Sequence, residues 1–282
     1  MTEFPPLLIL SIWIAASLPA PGTVCWHHDY AEAMREGDAG GKLVLLVFAD
    51  LPLRPVFEKA VQELLQDTES RELAQRHIFA WLPLDASVDS EQGRTDLISH
   101  PAFSELAPQG GVAVIDLTEG DSPQHQQVVS IIPRPERLTL GTVRELLRLP
   151  LGSLTQRTMT LAVRTHPELP QSAGLRFDRM LADECESHAN YQARIGVQGH
   201  HDWESRFHRI NGRLDNMLAK EVCAESWPGQ SMWDAAVECV RSWRHSPGHW
   251  SAVQRSHPIF AYDMKRGNNG VWYGVGIFAD AR

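Results

Sequence analysis

The chain is short of cysteine, of basic charge and of long apolar runs. Four cysteines, Cys25, Cys185, Cys223 and Cys239, stand among 282 residues, and no two have Cys-x-x-Cys spacing. Neither a zinc ribbon nor a dithiol redox motif is therefore present. Lys and Arg number 26 against 35 Asp and Glu, a formal net charge of -9. Such a surface argues against a nucleic-acid partner and against an anionic membrane. The most apolar stretch, Leu7 to Ala16, is too short to span a bilayer comfortably. There is no Gly-x-Ser-x-Gly elbow, no glycine-rich phosphate loop and no His-Glu-x-x-His. The motifs of serine hydrolases, nucleotide binders and zincin proteases are thus missing.

What is present begins with an export signal. Leu7 to Ala16 is followed by small residues and by Ala20-Pro21-Gly22. This reads as a secretory signal peptide over 1–22, although its first residues carry Glu3 and no Lys or Arg. An uncleaved anchor is the alternative. The expected destination is secreted or periplasmic, at the cell envelope, with no membrane span in the processed chain. An oxidising destination allows one disulfide, with Cys223 and Cys239 the favoured pair; the alternative is small buried thiols.

The hydrophobic pattern divides the rest. Trp26 to Glu36 reads as a short amphipathic helix ended by Gly37 to Gly41. Lys42 to Ala49 is a continuous apolar run, the mark of a strand covered on both faces. A helix is expected from Pro55, strands over 78–84, 112–117 and 127–132, and a helix over 140–149. In this order, residues 23–150 resemble the thioredoxin-like superfamily. Where that superfamily places its dithiol, this chain has Pro52-Leu53-Arg54-Pro55. Without a thiolate there is no nucleophile for dithiol exchange, so the domain is expected to be a redox-inactive scaffold. The proline that the resemblance implies in cis before the third strand is not evident, since Gly110 and Gly111 stand there and Pro108 lies upstream.

Pro150-Leu151-Gly152 marks a boundary, and 151–172 reads as a linker in which Leu154 to Val163 is either a strand or a connection. Over 173–282 the pattern predicts a helix at Leu175 to Ile195, a turn or helix at Trp203 to Ile210 and a helix at Met232 to Trp243. Antiparallel strands follow at Pro258 to Tyr262 and Val271 to Phe278, joined by Gly267-Asn268-Asn269-Gly270. Helices on an antiparallel sheet make an α+β layered domain. Trp233, Trp243 and Trp272 are expected in its core.

Two histidine clusters and one acidic residue punctuate this half: Gly199-His200-His201, Ala224-Glu225-Ser226-Trp227 and Ser246-Pro247-Gly248-His249. With the Trp272-Tyr273 strand, they resemble the bacterial branch of the CAP family (cysteine-rich secretory, antigen 5 and pathogenesis-related, also called SCP-like). The family's Gly-Glu-Asn is Ala-Glu-Ser here, and Trp243 is followed by Arg244 and His245, so the second glutamate of many eukaryotic members has no counterpart. The implied fold is an α/β thioredoxin-like domain followed by an α+β (α-β-α sandwich) CAP domain. The implied ligand site is a cleft of His200, Glu225 and His249, walled by Trp203 and Trp227. His200 and His249 are the candidate ligands of a divalent metal such as zinc, because imidazole and carboxylate suit that ion. His201 would point elsewhere, and Pro247 separates His245 from His249. The expected function is binding of a metal, a small ligand or a protein partner rather than catalysis. The alternatives are a metal-dependent hydrolase with Glu225 as base and a purely structural envelope protein.

Overall fold

Six successive apolar residues, Leu43–Phe48, are all buried and form the central strand of the first sheet. In the computed structural model, which describes residues 24–50, 53–90, 93–118 and 122–281, this strand is β2. The signal peptide expected over 1–22 lies outside the described residues. The sheet order is β1-β3-β2-β6-β7, with β1 Trp26–His27, β3 His77–Leu82, β6 Gly111–Asp116 and β7 Val128–Pro133. β3 runs parallel to β1 and β2, whereas β6 is antiparallel to β2 and β7. Alternation along β2 sorts its side chains. Val44, Leu46 and Phe48 pack with Ala33 of α1 (Tyr30–Gly40). Leu43, Leu45 and Val47 pack with Val61 and Leu64 of α2 (Arg54–Leu64), Ala74 of α3 (Thr68–Ala74) and Leu146 of α4 (Leu140–Leu147). A small hairpin, β4 (Ser87–Ser90) and β5 (Gly93–Asp96), stands outside this sheet.

Two expectations for this half are corrected. Trp26 and His27 are a strand, and the helix starts at Tyr30, where the Asp29 side chain accepts from the Glu32 N–H. Gly37 does not end that helix. It lets α1 approach β2, since a Cβ there would lie 2.4 Å from Val44 Cγ2; the helix stops at Gly41, which takes the left-handed conformation (φ 58°). The Ala107–Pro108 peptide, just upstream of β6, is cis.

The second sheet has order β8-β10-β11-β9, with β8 Arg176–Phe177, β9 Met217–Glu225, β10 Ile259–Arg266 and β11 Trp272–Ala281. Helices cover both faces, giving a three-layer sandwich. On one face Cys223, Ala261, Val275 and Ile277 pack with Leu181 and Cys185 of α6 (Arg179–Ile195) and Ile210 of α7 (Trp203–Asn211). On the other, Val222, Ala224, Tyr262 and Phe278 pack with Met159 of α5 (Leu154–Arg164), Trp243 of α8 (Met232–Arg244) and Trp250 of α9 (Pro247–Gln254).

The stretch 151–172 is therefore not a linker. Ser153 opens α5 with a capping box, and every residue from Gln156 to Val163 is buried. Met159 and Val163 join the core shared with α8, while Leu161 points into the core of the first sheet. Arg157 is 1% exposed; its Nε donates to Ser130 Oγ on β7 at 2.7 Å and its Nη1 to the carbonyl of Pro150 at 2.8 Å. Burial pulls its pKa down to about 10, against the opposing charge of Asp116. The two halves thus share a packed core through one helix. All four cysteines are free thiols. Cys223 and Cys239 pack in the cores on opposite faces of the sheet, so the favoured disulfide does not form.

Candidate functional site

α6, the loop after it, α7, β9 and α9 bring six side chains together. Gly196, left-handed at φ 70°, caps α6 and turns the chain into the loop that carries His200. Pro247 occupies the first turn of α9 and Ser246 precedes it, which places His249 in that same turn. Although 49 residues separate them, the Nε2 atoms of His200 and His249 face each other at 3.2 Å.

Behind this pair stands a buried carboxylate. His200 donates through Nδ1 to Glu221 Oε1 at 3.0 Å, and Arg206 of α7 donates to Glu221 Oε2. The Glu221 side chain is fully buried. Burial alone would raise its pKa, but the bonds from His200 and Arg206 outweigh it and hold the carboxyl below its usual range. His188 of α6 lies 3.8 Å from Glu221 Oε1 and donates through Nε2 to the Gly199 carbonyl at 2.9 Å. Burial lowers its pKa, so it is held as the neutral ring. Cys223 Sγ lies 3.7 Å from His200 Nδ1. Burial, then the Glu221 charge, pushes this thiol well up, away from thiolate character.

His188, Glu221 and Cys223 form a group whose donor atoms lie within 4.8 Å of one another, the spacing of ligands on one ion. Two of the three are already committed: His188 Nε2 to Gly199, and both Glu221 oxygens to His200 and Arg206. The outward-facing imidazole pair is bonded through its own Nε2 atoms and, on the far side of His200, to Glu221. With Nδ1 donating to Glu221, His200 Nε2 accepts from His249 Nε2–H at 3.2 Å, and burial followed by the nearness of His200 lowers the His249 pKa. An imidazole pair oriented by a carboxylate is the donor set of a histidine metal site. The 3.2 Å gap is also near the separation of about 3.3 Å between two nitrogens on a tetrahedral zinc with bonds of about 2.0–2.1 Å.

Of the residues expected from the sequence, His200 and His249 meet, whereas Glu225 does not join them. Glu225 stands four residues beyond Glu221, about 13 Å along an extended strand. It is exposed, and its side chain makes no hydrogen bond or ion pair among the described residues. Trp227 is 66% exposed and has no ring partner among the described residues, so it walls nothing here. Trp203 is half-buried against Phe207 and carries the Arg206 guanidinium over its ring at 5.4 Å, which makes it a support for the Arg206–Glu221 pair. His245 is exposed and turned back on the Arg241 carbonyl, and His201 is turned to the Val197 carbonyl. Glu221 could have been found from strand alternation, since Glu221, Cys223 and Glu225 share one side of β9. Lys220 and Glu221 break the apolar pattern and hid the strand. His188 belongs to the inward stripe of α6 with Leu181, Cys185 and Gln192.

No family model matches the sequence, and no curated protein matches it. Among solved structures, an outer surface protein from Borrelia burgdorferi aligns over 44% of this chain and 90% of its own, at 16% identity and a TM-score of 0.35. A thioredoxin from Thermus thermophilus aligns over 41% of this chain and 82% of its own, at 18% identity and a TM-score of 0.25. At those scores neither likeness carries an argument about activity. No helix among the described residues is long and apolar enough to cross a membrane.

Proposed function

We propose that the chain is an exported binding protein whose second half is a CAP-type domain and whose first half is a redox-inactive, thioredoxin-like scaffold. The cleft of that domain binds a divalent metal through His200 and His249, with Glu221 orienting His200 from behind. One observation carries this reading: two imidazoles from distant segments present Nε2 atoms to each other at 3.2 Å, with a buried carboxylate on the far nitrogen of one. Two protein ligands leave the ion open to water or to a polar ligand from outside. Export rests on the apolar N-terminal stretch.

A hydrolytic reading has less support. Catalytic zinc sites use three protein ligands and one open position. The nearest third ligand, Glu221, is engaged by His200 and Arg206, and Glu225 lies too far along the strand to serve as the base.

Zinc titration by calorimetry on the full chain tests the proposal. The unaltered protein is expected to bind one zinc saturably, His249→Ala to lose that binding, and Glu225→Gln to keep it. No binding by the unaltered protein would retire the metal reading, and loss of binding in Glu225→Gln would restore the carboxylate expected from sequence.

A further inference from the structure

The two halves share a core, but they also leave a crevice of about 540 Å³ between them. Met34 of α1 and Val128 of β7 line it from the first half; Leu154 of α5, Met232 of α8 and Trp272 of β11 line it from the second. His100, Ser104, Gln126 and Gln127 stand among these apolar side chains, so the lining is mixed, and its size suits a small molecule, for which pockets of roughly 300–1,000 Å³ at domain interfaces are typical.

One charged side chain stands in the wall. Glu105 Oε2 accepts from the Met232 N–H at 3.1 Å, in the first turn of α8. Its Oε1 has no hydrogen-bond partner and its carboxylate no ion-pair partner among the described residues. The nearby basic side chains are Arg266, which acts on Glu105 only through space, Arg137, which is paired with Asp234, and His100, which lines the same crevice. Partial burial raises the Glu105 pKa, with the Met232 bond opposing. Trp272 borders the same space, its ring fixed by donation from Nε1 to the Gln230 carbonyl at 3.2 Å. An indole face attracts cations. A spare carboxylate oxygen, a fixed indole and the apolar side chains within this mixed lining are complementary to a positively charged amphiphile and repel a fatty acid.

We propose that this crevice binds a small amphiphilic amine, with its apolar body against Met232 and Trp272 and its ammonium group on Glu105. The site is separate from the histidine pair and would couple ligand binding to the packing of the two halves.

Calorimetric titration of the full chain at neutral pH with octylamine, octan-1-ol and octanoate tests it. Octylamine is expected to bind with one-to-one stoichiometry, at least tenfold more tightly than octan-1-ol, and octanoate not at all. Glu105→Gln keeps an acceptor for Met232 and removes the charge. It is expected to weaken octylamine at least tenfold and to leave octan-1-ol unchanged. Octanoate binding as tight as octylamine, octylamine no tighter than octan-1-ol, or no saturable octylamine binding would each overturn the proposal. So would full octylamine affinity in Glu105→Gln. If that variant loses the cooperative thermal transition of the unaltered protein, the ranking of the three ligands on the unaltered protein decides alone.

Discussion

Glu221 holds Arg206 and His200 on separate oxygens, and both it and Arg206 are buried. Removing it strands a guanidinium in the interior, one of whose nitrogens already lacks a partner. Glu221→Ala is therefore expected to destabilise by about 3–5 kcal/mol, whereas Glu225→Ala should stay within about 0.5 kcal/mol, both read from urea midpoints. His77 supplies a pH dependence of its own. It donates through Nδ1 to the Leu73 carbonyl, its Nε2 has no partner, and burial pulls its pKa from 6.5 to about 4. Above pH 6.5 the ring is neutral folded and unfolded, and stability is unaffected. As pH falls from 6.5 toward 4 the unfolded chain takes up the proton first, so stability drops by up to about 3 kcal/mol and then levels off. Urea midpoints across that range should fall less steeply in His77→Leu. At this scale the sequence revealed His200 and His249, because Ser-Pro-Gly-His is a compact signal. The acid it singled out, Glu225, does not touch them, because the carboxylate beside a tryptophan in sequence is not the one beside His200 in space.

Among the elements, the continuous run of β2 and the stripes of α6 and α8 were legible, since each holds its period over its whole length. Helix α5 was not. Its residues include Gln156, Arg157, Thr158 and Thr160, all buried, so a helix covered on most sides carries polar groups where a stripe would be sought. Thr158 and Thr160 are satisfied by carbonyls four residues back, while Gln156 and Arg157 reach out of the helix to Asp263 and Ser130. The start of the helix is set by the Ser153 side chain and the returning Gln156. Ser153→Ala is expected to cost about 1 kcal/mol, checked by thermal or urea unfolding. Strand β9 was missed for a related reason, its charged residues serving the site and the sheet edge rather than a uniform face.

For the molecule as a whole, the boundary read at Pro150-Leu151-Gly152 is a real turn in the chain but not a division between independent units. Because α5 enters both cores, the chain should unfold in one cooperative transition rather than two, by both near- and far-ultraviolet circular dichroism. A fragment beginning at residue 173 lacks Met159 and Val163 against Tyr262 and should show no cooperative transition; one beginning at 151 should recover a large part of it. The Arg157 contacts reach further than stability. A guanidinium that reads a serine hydroxyl on one half and main-chain carbonyls at the joint makes the halves poor material for exchange by recombination. Among descendants of a common ancestor, positions 130 and 157 should change together or not at all. A lineage that lost the first half would have to replace Arg157 before its second half could stand alone.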